Sequence, residues 1–270
     1  MCPALKQVEV LVHEDAVIWA GGNRHALLDV WFHPAFGDNA TSFRDAFQSK
    51  LAKNARILVY DPPGHGASPP APHGVSLTDC VRLWRDLIAH YSRSRRVVLV
   101  GHSMAGLIAS LVAARLRRPP MLVIGVEANL TRSDAYFTGL AAQFDEPTAF
   151  HRSLVAKIRR RGKRDKIFRR FGANLEQADP LTLWTLGRSI YANEDPGAAF
   201  RHLRCPRIYY WDATRSTSHT RAYVERCKLP NRRLDHLGHW PMISSPDVFY
   251  SAVAEDIRTR SAALTAAGRD

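Results

Sequence analysis

An apolar run that passes through a turn of small residues into an apolar helical pattern leaves a chain few folds. Here Arg96–Gly101 (RVVLVG) leads through His102, Ser103, Met104, Ala105 and Gly106 into a helix-patterned segment ending near Arg117. A short run that is apolar throughout reads as a strand covered on both faces. Further runs that read as strands occur at Val8–Val12, Ala16–Ala20, Ala26–Phe32, Ala55–Tyr60, Met121–Glu127, Pro206–Trp211 and Arg232–Leu237. Helical patterns separate them at Ser42–Leu51, Leu77–Tyr91, Met104–Arg117, Ser218–Lys228 and Pro246 to about Ala266. The first two strands read as a hairpin. The rest of the alternation predicts an α/β chain, with a mostly parallel sheet of eight strands flanked by helices.

One interval breaks the rhythm. Between Asn129 and Arg204 only helical patterns occur, among them TAFHRSLVAKIRR and PLTLWTLGRSIY. The expected organisation is therefore a core of residues 1–128 and 205–270, with residues 129–204 forming a helical cap.

Composition excludes several classes. No apolar run reaches the length of about 20 residues that a membrane helix requires, and the start MCPALKQVEV lacks the pattern of a secretory signal. The cysteines Cys2, Cys80, Cys205 and Cys227 have no metal-ligand spacing. These features predict reduced thiols in a cytoplasmic protein. The net charge of +13 fits an anionic partner, but equally an arginine-rich composition with none. Nine of the basic residues and one acid fall between Lys157 and Arg170. That segment is either a solvated helix face or a landing site for an acidic carrier protein, coenzyme A phosphates or an anionic lipid. No motif for nucleic acid accompanies the charge.

Ser103 sits where a strand turns into a helix. It is either an N-cap or a nucleophile held on a tight elbow. A serine hydroxyl needs a base to take its proton. His239, in Gly238-His239-Trp240-Pro241 between the last strand and the last helix, has the right chemistry and chain order.

Together these residues resemble the α/β-hydrolase fold family over nearly the whole chain. WFHPAFGDNATSF looks like the family's oxyanion loop after the third strand, and YDPPGHGASPP (Asp61, Gly64, Gly66, Ser68) like its turn after the fourth. The resemblance implies an oxyanion hole made by the amides of Met104 and Ala35. It implies no metal or organic cofactor. A serine at the elbow argues against a dehalogenase, which needs a carboxylate there.

The family's acid commonly follows the strand here read as Pro206–Trp211, but Arg215 and Ser216 stand at that place and Asp212 lies early. A second family location is the end of the preceding strand, where Glu127 closes MLVIGVE. A carboxylate ending an apolar central strand needs a partner, and a protonated histidine is one. Glu127 is thus the favoured acid, Asp212 the alternative, with Asp134 and Asp235 behind them. Phe36, Trp184, Tyr191 and Trp240 are candidate substrate-binding residues, and Phe137 and Phe144 further aromatics for an acyl pocket.

The resulting expectation is a serine hydrolase cleaving a carboxylic ester or thioester through an acyl-enzyme. The alternatives are a thioesterase or acyltransferase acting on a carrier-protein- or CoA-bound acyl group, and a non-hydrolytic lyase or binding protein on the same fold.

Overall fold

The computed structural model describes residues 8–267. Residues 1–7 of the MCPALKQVEV start, Cys2 among them, lie outside the described residues.

Eight strands form one sheet: β1 (Glu9–His13), β2 (Ala16–Gly22), β3 (Leu28–His33), β4 (Arg56–Asp61), β5 (Arg96–His102), β6 (Leu122–Val126), β7 (Arg207–Trp211) and β8 (Asn231–Arg233). Their order is β1-β2-β4-β3-β5-β6-β7-β8. β2 runs antiparallel to β1 and β4, and every other pairing is parallel. The central strands are buried almost end to end, as parallel strands covered on both faces must be.

Seven α-helices longer than two turns occur among the described residues: α1 (Leu77–Tyr91), α2 (Met104–Ala113), α3 (Pro147–Gly162), α4 (Lys166–Gln177), α5 (Pro180–Tyr191), α6 (Ser218–Arg226) and α7 (Pro246–Ala267). α1 starts where Ser76 and Asp79 cap one another reciprocally. Between β6 and β7 the described chain is helical and carries no strand. α3 and α5 open on a proline, which tolerates a first turn where its missing N–H has no partner. Asp165 and Asp179 cap α4 and α5.

Some boundaries differ from the sequence reading. Ser42–Leu51 is a kinked 3-10 stretch, Ala40–Gln48, followed by a single turn, Leu51–Asn54. α2 ends at Ala113, short of Arg117. The final strand stops at Arg233 because the chain must turn. Asp235 accepts from the Ala213 N–H, and His236 and Gly238 both take positive φ.

Candidate active site

The strand-to-helix turn is as tight as its small residues suggest. Ser103 has φ 56° and ψ −122°, a backbone state that costs a non-glycine residue about 1–3 kcal/mol. Three hydrogen bonds hold it there. Its N–H donates to Val126 O (2.8 Å), and its own carbonyl accepts from Gly106 N (3.0 Å) and Asn129 N (3.3 Å). A Cβ on Gly101 would stand 2.2 Å from Ala105 O, and one on Gly106 2.2 Å from Ala128 Cβ. Only hydrogen fits at either place. Ser103 makes no side-chain capping bond to α2, so its hydroxyl is not spent on the helix.

Glu127 directly follows β6, again with positive φ (48°). Its N–H donates to Tyr210 O (2.8 Å), and its Oε1 accepts from the Asp212 N–H (2.5 Å). The other oxygen, Oε2, lies 3.8 Å from His239 Nδ1. That is ion-pair distance rather than a hydrogen bond. No hydrogen bond joins Ser103 Oγ to the His239 ring. Such contacts are often slack before substrate binds.

Asp212 faces elsewhere. Its Oδ1 accepts from Thr214 N (3.0 Å) and Thr214 Oγ1, and its Oδ2 accepts from Gly238 N (3.0 Å). Burial opposes its charge, but the bonds from Thr214 and Gly238 outweigh that and hold the carboxyl below its ordinary range. Asp212 therefore ties β7 to the loop that carries His239. Asp134 is likewise occupied: it caps the Leu130–Thr131 turn and accepts from Thr220 Oγ1.

His102 was missed by the sequence reading. It is fully buried, and its Nε2 lies 2.7 Å from His239 O, so Nε2 carries the proton and donates to that carbonyl. Burial, with the neighbouring His239, pushes its pKa well below the usual value, keeping it neutral. Its position beside the serine was the only signal available.

Ser103, Met104, Ala35, Phe36, Glu127, His239 and Trp240 line one cavity of about 240 Å³, walled by Phe137, Phe168 and Phe171. Met104 N–H is at the first turn of α2, where no intrahelical acceptor exists. Trp240 packs between Phe168 and Phe171 of α4, each ring centroid 5.2 Å away. That contact joins the histidine loop to the helical insert. Trp184 and Tyr191 do not line the cavity. Trp184 Nε1 donates to Phe144 O (2.9 Å), and Tyr191 lies beneath Arg132, 4.4 Å from its ring. Their helical spacing is that of packing between insert helices. Phe144 packs on Phe150 and also lies outside the cavity. A larger cavity, about 720 Å³, lies against Leu28, Arg96, Met121 and α7 and includes none of the candidate residues.

The Asp61–Ser68 stretch is a structural turn. Asp61 accepts from Ala40 N, Ala67 N and Trp19 Nε1, and Ser68 Oγ bridges Asp61 O and Val17 N.

Residues 30–252 match the family model described as the alpha/beta hydrolase family. The chain belongs to the alpha/beta hydrolase family. A Mycoplasma pneumoniae protein carrying the name esterase/lipase 2 is 27% identical over 238 residues, covering 83% of this chain and 87% of that protein. An esterase from Thermogutta terrifontis has the same fold, with TM-score 0.70 and 17% identity over 94% of this chain and 99% of that one. So does an enol-lactonase from Burkholderia xenovorans, with TM-score 0.70 and 18% identity over 93% of this chain and 100% of that one. Among the described residues of this hydrolase no helix is long and apolar enough to cross a membrane. Cys80, Cys205 and Cys227 are free thiols.

Proposed function

We propose that this hydrolase is a serine esterase working through an acyl-enzyme. One observation carries the reading. A serine hydroxyl released from helix capping by a strained turn shares a cavity with His239, and Glu127 Oε2 stands 3.8 Å behind that imidazole.

In this mechanism Ser103 Oγ attacks the ester carbonyl carbon while His239 Nε2 takes its proton. Glu127 faces Nδ1, fixes the tautomer and stabilises the imidazolium. In this reading the oxyanion forms between the N–H groups of Met104 and Ala35, both of which line the cavity, and such donors act on the charge that develops in the transition state. When the intermediate collapses, the C–O bond to the alcohol breaks and His239 returns the proton to the leaving oxygen. Water then attacks the acyl-serine with His239 as base, releasing the acid and free Ser103. Asp212 and His102 act as positioning residues, one through Gly238 N and the other through His239 O. Residues 129–204 serve as a cap, and those of its aromatic side chains that line the cavity, Phe137, Phe168 and Phe171, take the acyl group.

The name of the Mycoplasma relative supports an oxygen ester as the substrate, although the same steps would cleave a thioester. A fluorophosphonate probe tests the reading. One adduct per chain on Ser103, lost in Ser103→Ala, is expected. An unlabelled wild-type protein that still turns over esters would overturn it.

A further inference from the structure

The cavity holds an unused cation. Two carboxylates line it, and both are committed: Glu127 to the Asp212 amide and His239, and Asp134 to the turn it caps and to Thr220. Two arginines also line it. Arg215 leans toward Asp212, 4.0 Å away. Arg161 has no carboxylate and no side-chain hydrogen bond among the described residues.

Arg161 is nevertheless held in place. Its guanidinium carbon lies 5.1 Å from the centroid of Phe168 and 5.7 Å from that of Tyr136, and both rings line the same cavity. Lys157, one turn earlier on α3, stands 4.4 Å from the Tyr136 centroid. Stacking on two rings restrains a long side chain while leaving its N–H edge free. Its neighbours behave differently. Arg159 pairs with Glu176 at 2.6 Å, and Arg160, exposed as Arg161 also is, lies off the cavity. All three sit in the last turn of α3, where positive charge is favourable. The helix end accounts for arginines there, but not for one resting on the aromatic wall of the cavity.

We propose that Arg161 forms an anion subsite in this cavity, so that the preferred ester carries a carboxylate or phosphate remote from the scissile carbonyl. The inference rests on the serine esterase reading for its chemistry. The planar guanidinium offers paired donors to either anion.

Three chromogenic esters test it: neutral p-nitrophenyl butyrate, the p-nitrophenyl monoester of glutarate with its charge on the acyl group, and 4-butyryloxy-3-nitrobenzoate with its charge on the leaving group. In the wild type at least one charged ester should be preferred. Its kcat/KM relative to the neutral ester should fall about two- to fivefold in Arg161→Gln, the range for a solvent-accessible pair. Arg161→Lys should keep part of the preference, added salt should shrink it, and Arg160→Gln should leave the ratio unchanged. Equal ratios in wild type and Arg161→Gln, or an equal fall in Arg160→Gln, would overturn the subsite. Loss of the serine esterase reading looks different: no ester would be cleaved in a Ser103-dependent way. Calorimetric binding of glutarate then judges the subsite alone, since it must weaken in Arg161→Gln and overturns the proposal if it does not.

Discussion

Replacing Glu127 by glutamine separates the two acids most sharply. Two unit charges 3.8 Å apart attract by about 4 kcal/mol at the effective dielectric near 20 that suits sites close to a protein surface. The His239 ring is 35% exposed, so solvent removes part of this. About 3–4 kcal/mol of imidazolium stabilisation remains, a fall in kcat of roughly 10²–10³. The fold should survive, because a glutamine carbonyl still accepts the Asp212 N–H. Asp212→Asn has the opposite profile. All its oxygens accept from N–H or O–H donors, so an amide must face one of them with its own NH2. That leaves a buried group unpaired, at a cost of about 1–3 kcal/mol in stability, while kcat falls less than tenfold. The assay is steady-state turnover of p-nitrophenyl butyrate alongside urea unfolding of each variant. A large kcat loss in Asp212→Asn with a nearly intact Glu127→Gln would refute the assignment.

Two further outcomes follow from the packing and from buried histidines. Gly106→Ala should destabilise the protein strongly, since its Cβ meets Ala128 Cβ at 2.2 Å; Ala128→Gly in the same chain should restore much of the loss, and urea midpoints that show no rescue would contradict the close contact. Burial pushes His33 down to about 3 and also lowers His65 and His102. The unfolded chain takes up protons near pH 6.5 that these folded residues refuse. Their contribution is intact above that pH and is lost as pH falls toward the folded values, by about 1.4 kcal/mol per pH unit for each histidine. His33→Gln should flatten the decline in unfolding free energy between pH 6.5 and 4.5, and an unchanged slope would contradict its buried neutral state.

The sequence revealed the inner sheet because its apolar runs require burial on both faces, whereas the outer strands are largely exposed and the last keeps only Asn231–Arg233. Leu77–Tyr91 was legible to the residue, since Ser76 and Asp79 mark its start. Ser103, His239 and Glu127 come to one cavity because parallel strands gather their carboxyl ends on one edge of a sheet. Orientation was not legible. Asp212 has the same sequence signature whether it faces an imidazole or the amides of Thr214 and Gly238. Trp184 and Tyr191 have the spacing of any helical aromatic, and only the packing of the insert shows them turned away from the cavity. The arginines of α3 look equivalent in the sequence, yet Arg161 alone among Arg159–Arg161 lines the cavity.

The acyl-enzyme is the central claim, and trapping it tests that claim most directly. Wild-type protein mixed with p-nitrophenyl butyrate and quenched in acid within the first turnover should gain the mass of one butyryl group on Ser103, with a burst of one p-nitrophenol per chain. Ser103→Ala should show neither. Turnover with the hydroxyl unmodified, or a butyryl group on another residue, would contradict the account.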